Sequence, residues 1–444
     1  MPPLLSPDSP DEPTAAELIA ARPHLAMHAM DGLMMDGVPL NRVADVLGTP
    51  VWVYSAAAVR QRARALADAL RKAGLDAHVH YALKANDRLA VLRVLAREGL
   101  GADVVSEGEL RRARIAGFPA DRIVFSGVGK SDRELRLALA EGIGQINVES
   151  AEELDILSAT AADMGRVAPI ALRVNPDVDA GTHAKITTGR AQDKFGIPYD
   201  DAVALYPRAA SLPGVRPLGL ATHIGSQIMS LAPYRAAFAK LAELVALLRA
   251  AGHSVETVDC GGGLGVPYSN EPALTPGALA GALREAFHDQ QVKLMLEPGR
   301  WLVGPAGVLV TTVVLVKQAR DSRFVVLDAG MNDLVRPAMY EAWHGMIPVS
   351  AVEARGAVEP ADVVGPVCET GDTFARNRLL PRLARNARLA ILDAGAYGSV
   401  MSSAYNARPP AAEAIIDGAA WSVIRERPSY TDLWRNERVP DFLL

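Results

Sequence analysis

Four strand-like segments of the sequence end in residues that can do chemistry. Lys84 ends the run HVHYALK, and His223 ends the run GLATH. A glycine triplet at residues 261–263 follows VETVDC, and Glu297 ends KLMLE. Each has an ordinary explanation when it is taken alone, because most lysines are solvated and most glycines serve turns. Active-site groups of a (β/α)8 barrel lie at the carboxyl ends of its strands, so the four together indicate one site.

The residue types favour a phosphate-bearing aldehyde cofactor. A lysine at a buried strand end can form a Schiff base, and bare glycine amides can hold a phosphate. The loop at residues 261–265 lacks the spacing of a dinucleotide site, because Val266 stands where the last glycine is required. Residues 129–131 resemble the end of a P-loop, but Val124 replaces its first glycine. A lysine for the aldehyde, a glycine loop for the phosphate and a carboxylate for the ring nitrogen together suggest pyridoxal phosphate.

Strand-like and helix-like segments alternate over most of the chain and must position these residues. The strand candidates are residues 51–54, 79–84, 102–105, 123–126, 145–148, 170–175, 219–223, 255–260 and 293–297. Helical patterns lie between most of them, for example at residues 56–72 and 234–251. Such alternation predicts a parallel sheet, and its length suits a (β/α)8 TIM barrel. The count alone leaves an open, doubly wound sheet as the alternative.

The sequence divides into three predicted regions. Residues 50–299 are expected to form the barrel. Residues 28–49 together with 300–444, which are rich in β-like runs, glycine and proline, are expected to form a second, mostly β domain of sandwich or barrel type. Residues 1–27, rich in proline and alanine, are expected to be a loose extension.

Composition excludes several classes of function. The 444 residues carry 46 basic and 51 acidic side chains, so no basic excess exists to hold nucleic acid. Two cysteines cannot form a disulfide framework, and the N-terminus has no signal-peptide pattern, so a cytoplasmic location is expected. The uncharged stretches are interrupted by polar residues, glycine or proline, which predicts no membrane span. No cluster has the spacing of a zinc site, so no metal is expected.

Several short motifs resemble the fold-type III pyridoxal-phosphate-dependent decarboxylases, whose barrels are of the alanine racemase type. They follow one another in the family order and are Tyr81-Ala82-Leu83-Lys84-Ala85-Asn86, His223-Ile224-Gly225-Ser226-Gln227, Glu297-Pro298-Gly299-Arg300, Gly365-Pro366-Val367-Cys368-Glu369, Asp393-Ala394-Gly395-Ala396-Tyr397 and Ser403-Ala404-Tyr405-Asn406. Within the family the chain resembles the diaminopimelate decarboxylases most, from about residue 31 to residue 406. Each motif alone is weak or moderate, whereas their shared order and spacing are specific.

The resemblance implies a role for each candidate residue. Lys84 would bind the cofactor covalently, His223 would stack on its ring, and Glu297 would pair with the ring nitrogen. Asp103 would lie near the ring edge. The residues implied to hold the phosphate are Ser226, Gly261, Gly262, Gly263 and Tyr397. Cys368 and Glu369 would reach into the active site of a second subunit, so the resemblance implies a homodimer with shared sites.

The implied reaction is decarboxylation of meso-2,6-diaminopimelate to L-lysine and CO2, the last step of lysine biosynthesis. The far end of this substrate carries a carboxylate and an ammonium group. Residues implied to bind the substrate are Arg300, Arg336, Tyr340, Glu369 and Tyr397. Arginine suits the carboxylate because its planar fork binds two oxygens, and Glu369 suits the ammonium group. The proton that replaces CO2 could come from Cys368 or from Lys84.

Other readings of the same fold remain open. A sister decarboxylase acting on ornithine, arginine, D-amino acids or carboxynorspermidine would be expected to lose or replace Arg336 or Glu369. A pyridoxal-phosphate-dependent racemase needs two bases on opposite faces of its substrate, and a non-enzymatic relative would be expected to lose Lys84 or Cys368.

The chain also departs from the family pattern in places. Glu107 stands where the family often has glycine, and residues 407–411 are a variant of a run that is usually rich in arginine and proline. Residues 179–195 resemble the mobile loop that covers the site in the family.

Overall fold

The chain folds into two compact units. The computed structural model describes residues 12–181, 188–189, 193–320 and 322–444. The barrel unit comprises Val59–Pro267 and Pro272–Val303. The β unit comprises Met1–Ala58, Tyr268–Glu271 and Gly304–Leu444, so it is assembled from both ends of the chain.

The N-terminal segment is folded from residue 14 onward, and the expectation of a loose extension over residues 1–27 was wrong for this part. Its elements are α1 (Ala15–Ala20), β1 (Leu25–His28), β2 (Gly32–Met35), β3 (Val38–Pro39), α2 (Leu40–Leu47) and β4 (Val51–Ser55). Thr14 and Glu17 form a capping box at α1, and Leu18 and Leu25 are buried in the core of the β unit. A composition rich in alanine and proline gives no sign of these distant partners. Residues 1–11 lie outside the described residues.

Eight parallel strands close into a barrel. They are β5 (Ala77–Ala82), β6 (Gly101–Val104), β7 (Ile123–Phe125), β8 (Gln145–Val148), β9 (Ala168–Asn175), β11 (Val215–Ala221), β12 (Thr257–Asp259) and β13 (Lys293–Leu296). A short additional strand, β10 (Ile197–Pro198), pairs with β9. The pairs β8–β9 and β13–β5 complete the ring. The closed barrel is therefore confirmed, and the open sheet is excluded.

Helices follow the strands of this barrel. They are α3 (Ala56–Lys72), α4 (Leu89–Arg97), α5 (Glu107–Ala116), α6 (Asp132–Glu141), α7 (Ala151–Asp163), α8 (Tyr199–Ser211), α9 (Ala232–Ala250), α10 (Pro276–Phe287) and α11 (Arg300–Val303). Serine residues begin three of them, because the side chains of Ser106, Ser131 and Ser150 each accept a hydrogen bond from the amide three residues on. None of the helices in the described part of the chain combines the length and hydrophobicity needed to cross a membrane.

The remainder of the β unit is dominated by strands, as expected. Its elements are β14 (Gly307–Ala319), β15 (Ser322–Leu327), α12 (Arg336–Tyr340), β16 (Met346–Pro348), β17 (Val358–Val364), β18 (Thr373–Pro381), β19 (Arg388–Ile391), β20 (Ala412–Asp417), β21 (Ala420–Arg425) and α13 (Tyr430–Trp434). The main sheet has the order β18-β17-β15-β14-β4-β20-β21, and β19 joins it by pairing with β14.

Strand β4 corrects the predicted barrel. The sequence placed residues 51–54 among the barrel strands, but β4 lies between β14 and β20 in the sheet of the β unit. All five of its residues are buried, with Val51 and Val53 in the core of that unit. A short run of β-branched and aromatic residues is compatible with either sheet, so the local pattern could not select the partner strand.

Candidate active site

Lys84 stands immediately after a barrel strand, in a turn that its motif stabilises. Strand β5 ends at Ala82, and a 3-10 turn over Leu83–Ala85 carries the lysine. The Tyr81 hydroxyl donates a hydrogen bond to the Asn86 carbonyl oxygen at 2.9 Å, which ties the two ends of the motif together. The Lys84 side chain is 36% exposed, so its amine is accessible.

Asp103, on the neighbouring strand β6, is the described acidic partner of this lysine. Its Oδ2 accepts from Lys84 Nζ at 3.0 Å, and its side chain is fully buried. Its other oxygen, Oδ1, is buried without a hydrogen-bond partner in the described structure. Buried polar atoms normally have partners, so this oxygen points to a group that the protein chain itself does not supply.

His223 follows β11 and is held in one orientation. Its Nδ1 accepts a hydrogen bond from the Gly262 amide at 3.1 Å, which requires Nδ1 to be without a proton. Burial, together with the positive charges of Lys84 and Arg173, lowers the pKa of His223 well below its usual range. The imidazole is therefore neutral at neutral pH.

The covering loop expected at residues 179–195 is described only in part. Residues 182–187 and 190–192 lie outside the described residues. Thr188 donates its hydroxyl to the His223 carbonyl oxygen at 2.8 Å, and the Gly189 carbonyl oxygen accepts from the Val178 amide at 2.8 Å. The segment is thus attached to the residue implied to stack on the cofactor.

The glycine triplet lies where backbone segments approach too closely for side chains. A Cβ on Gly262 would lie 2.1 Å from the Glu297 carbonyl oxygen, and one on Gly261 would lie 2.2 Å from that of Thr222. Gly261 also has a φ of 67°, which glycine adopts without strain. Its amide donates to Asp259 Oδ1 at 2.9 Å. Glycine therefore has two effects in this triplet. It allows the backbone segments to pack closely, and it leaves the backbone of the loop without side chains that would cover it.

Glu297 directly follows β13 and belongs to a group of buried carboxyls. Burial raises its pKa well above the usual range, and the charges of Asp103 and Asp259 raise it further. Asp259, fully buried on β12, also has a raised pKa, mainly because of burial. Like charges that share a buried site cannot all ionise cheaply, so the group favours binding a proton or a cation.

Sequence reasoning missed a chain of polar side chains inside the barrel. Asn147 donates through Nδ2 to Asp259 Oδ2 and to the Ser126 hydroxyl, each at 3.1 Å, and Ser126 donates to Glu297 Oε1 at 3.4 Å. Gln145 donates to Asn147 Oδ1 at 2.8 Å. The alternation of polar and apolar residues along β8 was the available signal. In this network the hydrogen bonds run from Asn147 to Ser126 and from Ser126 to the carboxyl group of Glu297.

Glu109, at the start of α5, is a second titratable group that sequence reasoning missed. It accepts from the Val105 amide at 2.9 Å, and burial raises its pKa to about 7. The positive charge of Lys84 acts in the opposite direction. The surroundings of Lys84 therefore include a group that titrates near neutral pH.

Arg300 and Ser226 come together in the barrel unit. Arg300 begins α11 and is 7% exposed, and its Nη2 donates to Ser226 Oγ at 3.0 Å. The sequence assigned Arg300 to the substrate and Ser226 to the phosphate. Their contact places a guanidinium beside the residue expected to hold the phosphate, where a positive charge would be favourable.

The remaining candidates belong to the β unit. Arg336 begins α12 and is buried, and Tyr340 ends the same helix. Tyr397 is half-buried and has a φ of 55°. Cys368 and Glu369 are exposed, and the Cys368 amide donates to Asn406 Oδ1 at 3.0 Å. Arg336 and Tyr340 thus share one short helix, and Cys368 and Glu369 share one exposed turn.

Comparison with known proteins decides the family. The family described as "Pyridoxal-dependent decarboxylase, pyridoxal binding domain" matches residues 56–304. Diaminopimelate decarboxylase from Zymomonas mobilis is 47% identical over 414 residues, which cover 93% of this chain and 98% of that protein. The chain belongs to the diaminopimelate decarboxylase family. The resemblance that the sequence motifs indicated is confirmed.

Solved structures of diaminopimelate decarboxylases have the same fold. The enzyme from Helicobacter pylori, complexed with L-lysine, is 38% identical with a TM-score of 0.86, covering 89% of this chain and 98% of that one. A lysine/ornithine decarboxylase from Vibrio vulnificus complexed with putrescine is 25% identical with a TM-score of 0.75, covering 85% of this chain and 97% of that one. The diaminopimelate decarboxylase is the more similar of these two.

The family cofactor is pyridoxal phosphate, and the described residues fit it. Lys84 offers an accessible amine, and Asp103 Oδ1 offers a buried acceptor without a partner. The buried carboxyls around Glu297 favour a protonated ring nitrogen. The residues that would hold the cofactor are Lys84, Asp103, His223, Ser226, the glycine triplet and Glu297.

Proposed function

We propose that this protein decarboxylates meso-2,6-diaminopimelate to L-lysine and CO2 with pyridoxal phosphate. Family membership along nearly the whole chain carries the proposal. The pair Lys84–Asp103, the neutral His223 and the buried carboxyls around Glu297 support it from the geometry. When bound, pyridoxal phosphate supplies an electron-withdrawing ring that stabilises the negative charge left on the substrate carbon as CO2 departs.

The residues of the barrel unit orient the cofactor and hold protons. Lys84 would anchor the cofactor through its side-chain amine, and Asp103 holds that amine in place. His223 presents an uncharged ring, whose direction the Gly262 amide fixes. Burial raises the pKa of Glu297 well above its usual range, so its carboxyl would be suited to pairing with a protonated ring nitrogen. Cys368 or Lys84 then delivers a proton to the carbon that lost CO2.

The far end of the substrate is bound by oppositely charged groups. Arg300 and Arg336 suit its carboxylate, and Glu369 suits its ammonium group. Tyr340 and Tyr397 provide hydroxyls for the remaining polar contacts. Ornithine, arginine and carboxynorspermidine lack that carboxylate or present it differently, so the two arginines favour meso-diaminopimelate.

A homodimer with shared active sites completes the proposal. Cys368 and Glu369 are exposed on the single chain, as expected of residues that serve the site of a second subunit. A cytoplasmic location would keep the Cys368 thiol reduced.

Release of CO2 from a panel of substrates tests the proposed function. Meso-diaminopimelate, ornithine, arginine and carboxynorspermidine are each incubated with the cofactor-loaded protein. We expect meso-diaminopimelate to have the highest kcat/KM and L-lysine to be its product. A higher kcat/KM for any of the other three would contradict the assigned substrate.

A further inference from the structure

A buried histidine holds the arginine that is expected to bind the distal carboxylate. His344 is 0% exposed, and its Nε2 lies 2.7 Å from Arg336 Nη1. Its Nδ1 lies 2.7 Å from the Leu392 carbonyl oxygen. A carbonyl can only accept and a guanidinium can only donate, so the proton of His344 must be on Nδ1 and its Nε2 must accept from Arg336.

A second contact places the same guanidinium over an aromatic ring. The Arg336 Cζ lies 4.7 Å from the centre of the Tyr268 ring, and that ring meets the His344 ring edge-on at 5.3 Å. The contact with the ring and the hydrogen bond through Nη1 together restrict the position of the Arg336 guanidinium. A planar group that binds a carboxylate through two parallel bonds depends on this restriction.

The backbone of His344 is itself held. Arg378 donates through Nη1 to the His344 carbonyl oxygen at 2.7 Å, and its Cζ lies 4.5 Å from the ring centre of the neighbouring Trp343. Arg378 also forms an ion pair with Glu12, near the start of the described chain. The histidine is therefore attached on both its side chain and its backbone.

We propose that His344 is a positioning residue for substrate recognition, which acts by orienting Arg336 toward the distal carboxylate of a diamino dicarboxylic acid. The inference rests on the proposed function for the role of Arg336. His344 accepts one N–H of the guanidinium without adding charge, so the positive charge of Arg336 is retained for the substrate. A carboxylate in its place would neutralise the arginine and weaken its attraction for an anionic ligand.

Substitution of His344 by asparagine or glutamine tests its two hydrogen bonds one at a time, the bond to the Leu392 carbonyl oxygen and the bond to Arg336. The amide of asparagine ends near the position of Nδ1, so it can reach the Leu392 carbonyl oxygen but not Arg336. The longer glutamine can place its oxygen near the position of Nε2 and accept from Arg336. We expect His344→Asn to raise the KM for meso-diaminopimelate about 10- to 100-fold with little change in kcat, since a misplaced binding group costs about this much. We expect His344→Gln to recover most of the loss.

Binding of two ligands distinguishes positioning from general damage. L-Lysine retains a carboxylate, whereas cadaverine is a diamine without one. In the cofactor-loaded His344→Asn protein, we expect the Kd of L-lysine to rise as the KM does and the Kd of cadaverine to stay within about twofold of the wild type. Equal weakening of both ligands, or equal behaviour of the asparagine and glutamine variants, would overturn the inference. His344→Ser replaces the asparagine variant if the latter does not fold.

A double variant tests whether the effect of His344 on ligand binding depends on Arg336. In an Arg336→Ala background, we expect His344→Asn to change the Kd of L-lysine by less than about twofold, because residues in one network are not additive. A full additional loss would show that His344 acts elsewhere. If the wild type neither binds L-lysine nor releases CO2 from meso-diaminopimelate, the proposed function fails. If it does both and His344→Asn matches it, only the role of His344 fails.

Discussion

Buried carboxyl groups set the chemistry of the barrel interior at the scale of single residues. Asp103, Asp259 and Glu297 are all at most 6% exposed, and the pKa values of Asp259 and Glu297 are raised by burial. Asn147 and Ser126 supply neutral donors to two of the three. The site is therefore prepared for positive charge, which Lys84 and a protonated cofactor ring can provide.

Replacing Lys84 with alanine should remove both catalysis and the covalent attachment of the cofactor. We expect Lys84→Ala to lower kcat by at least about 100-fold, since no other amine can take its role at the end of β5. The absorbance of the protein-bound cofactor should change in parallel. Lys72→Ala, at the end of the outer helix α3, is the matched control and should retain both properties. Retained turnover in Lys84→Ala would contradict the assignment.

Asp333 should make the stability of the protein depend on pH. Burial raises its pKa from 3.8 to about 6, so the folded state holds this proton more tightly than the unfolded state does. Its contribution to the free energy of unfolding is present below about pH 3.8 and is lost as the pH rises through about 6. One pKa unit corresponds to about 1.4 kcal/mol, and part of the shift is already titrated at pH 4, so Asp333→Asn should gain about 2 kcal/mol relative to the wild type between pH 4 and pH 7. Urea unfolding at both pH values measures this change. A difference that does not vary with pH would contradict the raised pKa.

At the scale of elements, local patterns were sufficient for the barrel strands but not for the assignment of β4. Each of the eight strands overlaps a predicted run, because alternation of buried strands and amphipathic helices is a local signal. Closure depends on the pairing of β13 with β5, more than 200 residues apart in the sequence, and the place of β4 depends on strands more than 250 residues away. Such partners leave no mark in a short window of sequence.

The sequence was sufficient to predict those candidate site residues whose type is unusual at the end of a strand. Lys84, His223 and the glycine triplet stand out because a strand end seldom carries such groups. Gln145, Asn147 and Asp259 did not stand out, since polar residues on a short strand are ordinarily solvent-facing. Only the closed barrel turns their face inward, so their role depends on the assembled fold.

The loop after β12 should tolerate no side chain at Gly262. An alanine Cβ there would lie 2.1 Å from the Glu297 carbonyl oxygen, and the backbone of the next strand cannot move aside freely. We expect Gly262→Ala to lower the free energy of unfolding by at least about 1–3 kcal/mol. We also expect it to weaken cofactor binding. Gly281→Ala, in open space within α10, should instead raise it by about 1 kcal/mol. Equal effects of the two substitutions on urea unfolding would contradict the close approach.

At the scale of the whole molecule, the single chain exposes the turn with Cys368 and Glu369, the two residues that the proposed function assigns to the site of a second subunit. Two groups of this chemistry would be poorly placed for catalysis if they faced only solvent. Their exposure is consistent with the homodimer proposed above, in which each subunit completes the site of the other.

Mixing two inactive variants tests the shared site. With Cys368 as the proton donor, Lys84→Ala and Cys368→Ala are each expected to be inactive or nearly so as homodimers. After unfolding and refolding together in equal amounts, half of the dimers should be mixed, and each mixed dimer should contain one complete site. We therefore expect recovery of about a quarter of the wild-type activity. No recovery in mixtures that contain mixed dimers would contradict the exchange of Cys368 between subunits.

The construction of the β unit from both chain ends has a consequence for synthesis on the ribosome. Strand β4 leaves the ribosome about 250 residues before its partner β14, and Arg22 emerges about 370 residues before Asp393, to which it is bound in the fold. At a rate of about 5–20 residues per second, β4 waits more than about ten seconds for β14, while the barrel between them can already form. The newborn N-terminal segment therefore lacks the strand partners that bury β4 in the fold during this interval. An apolar strand without its partners is prone to aggregation, so we expect a chaperone to bind this segment during synthesis.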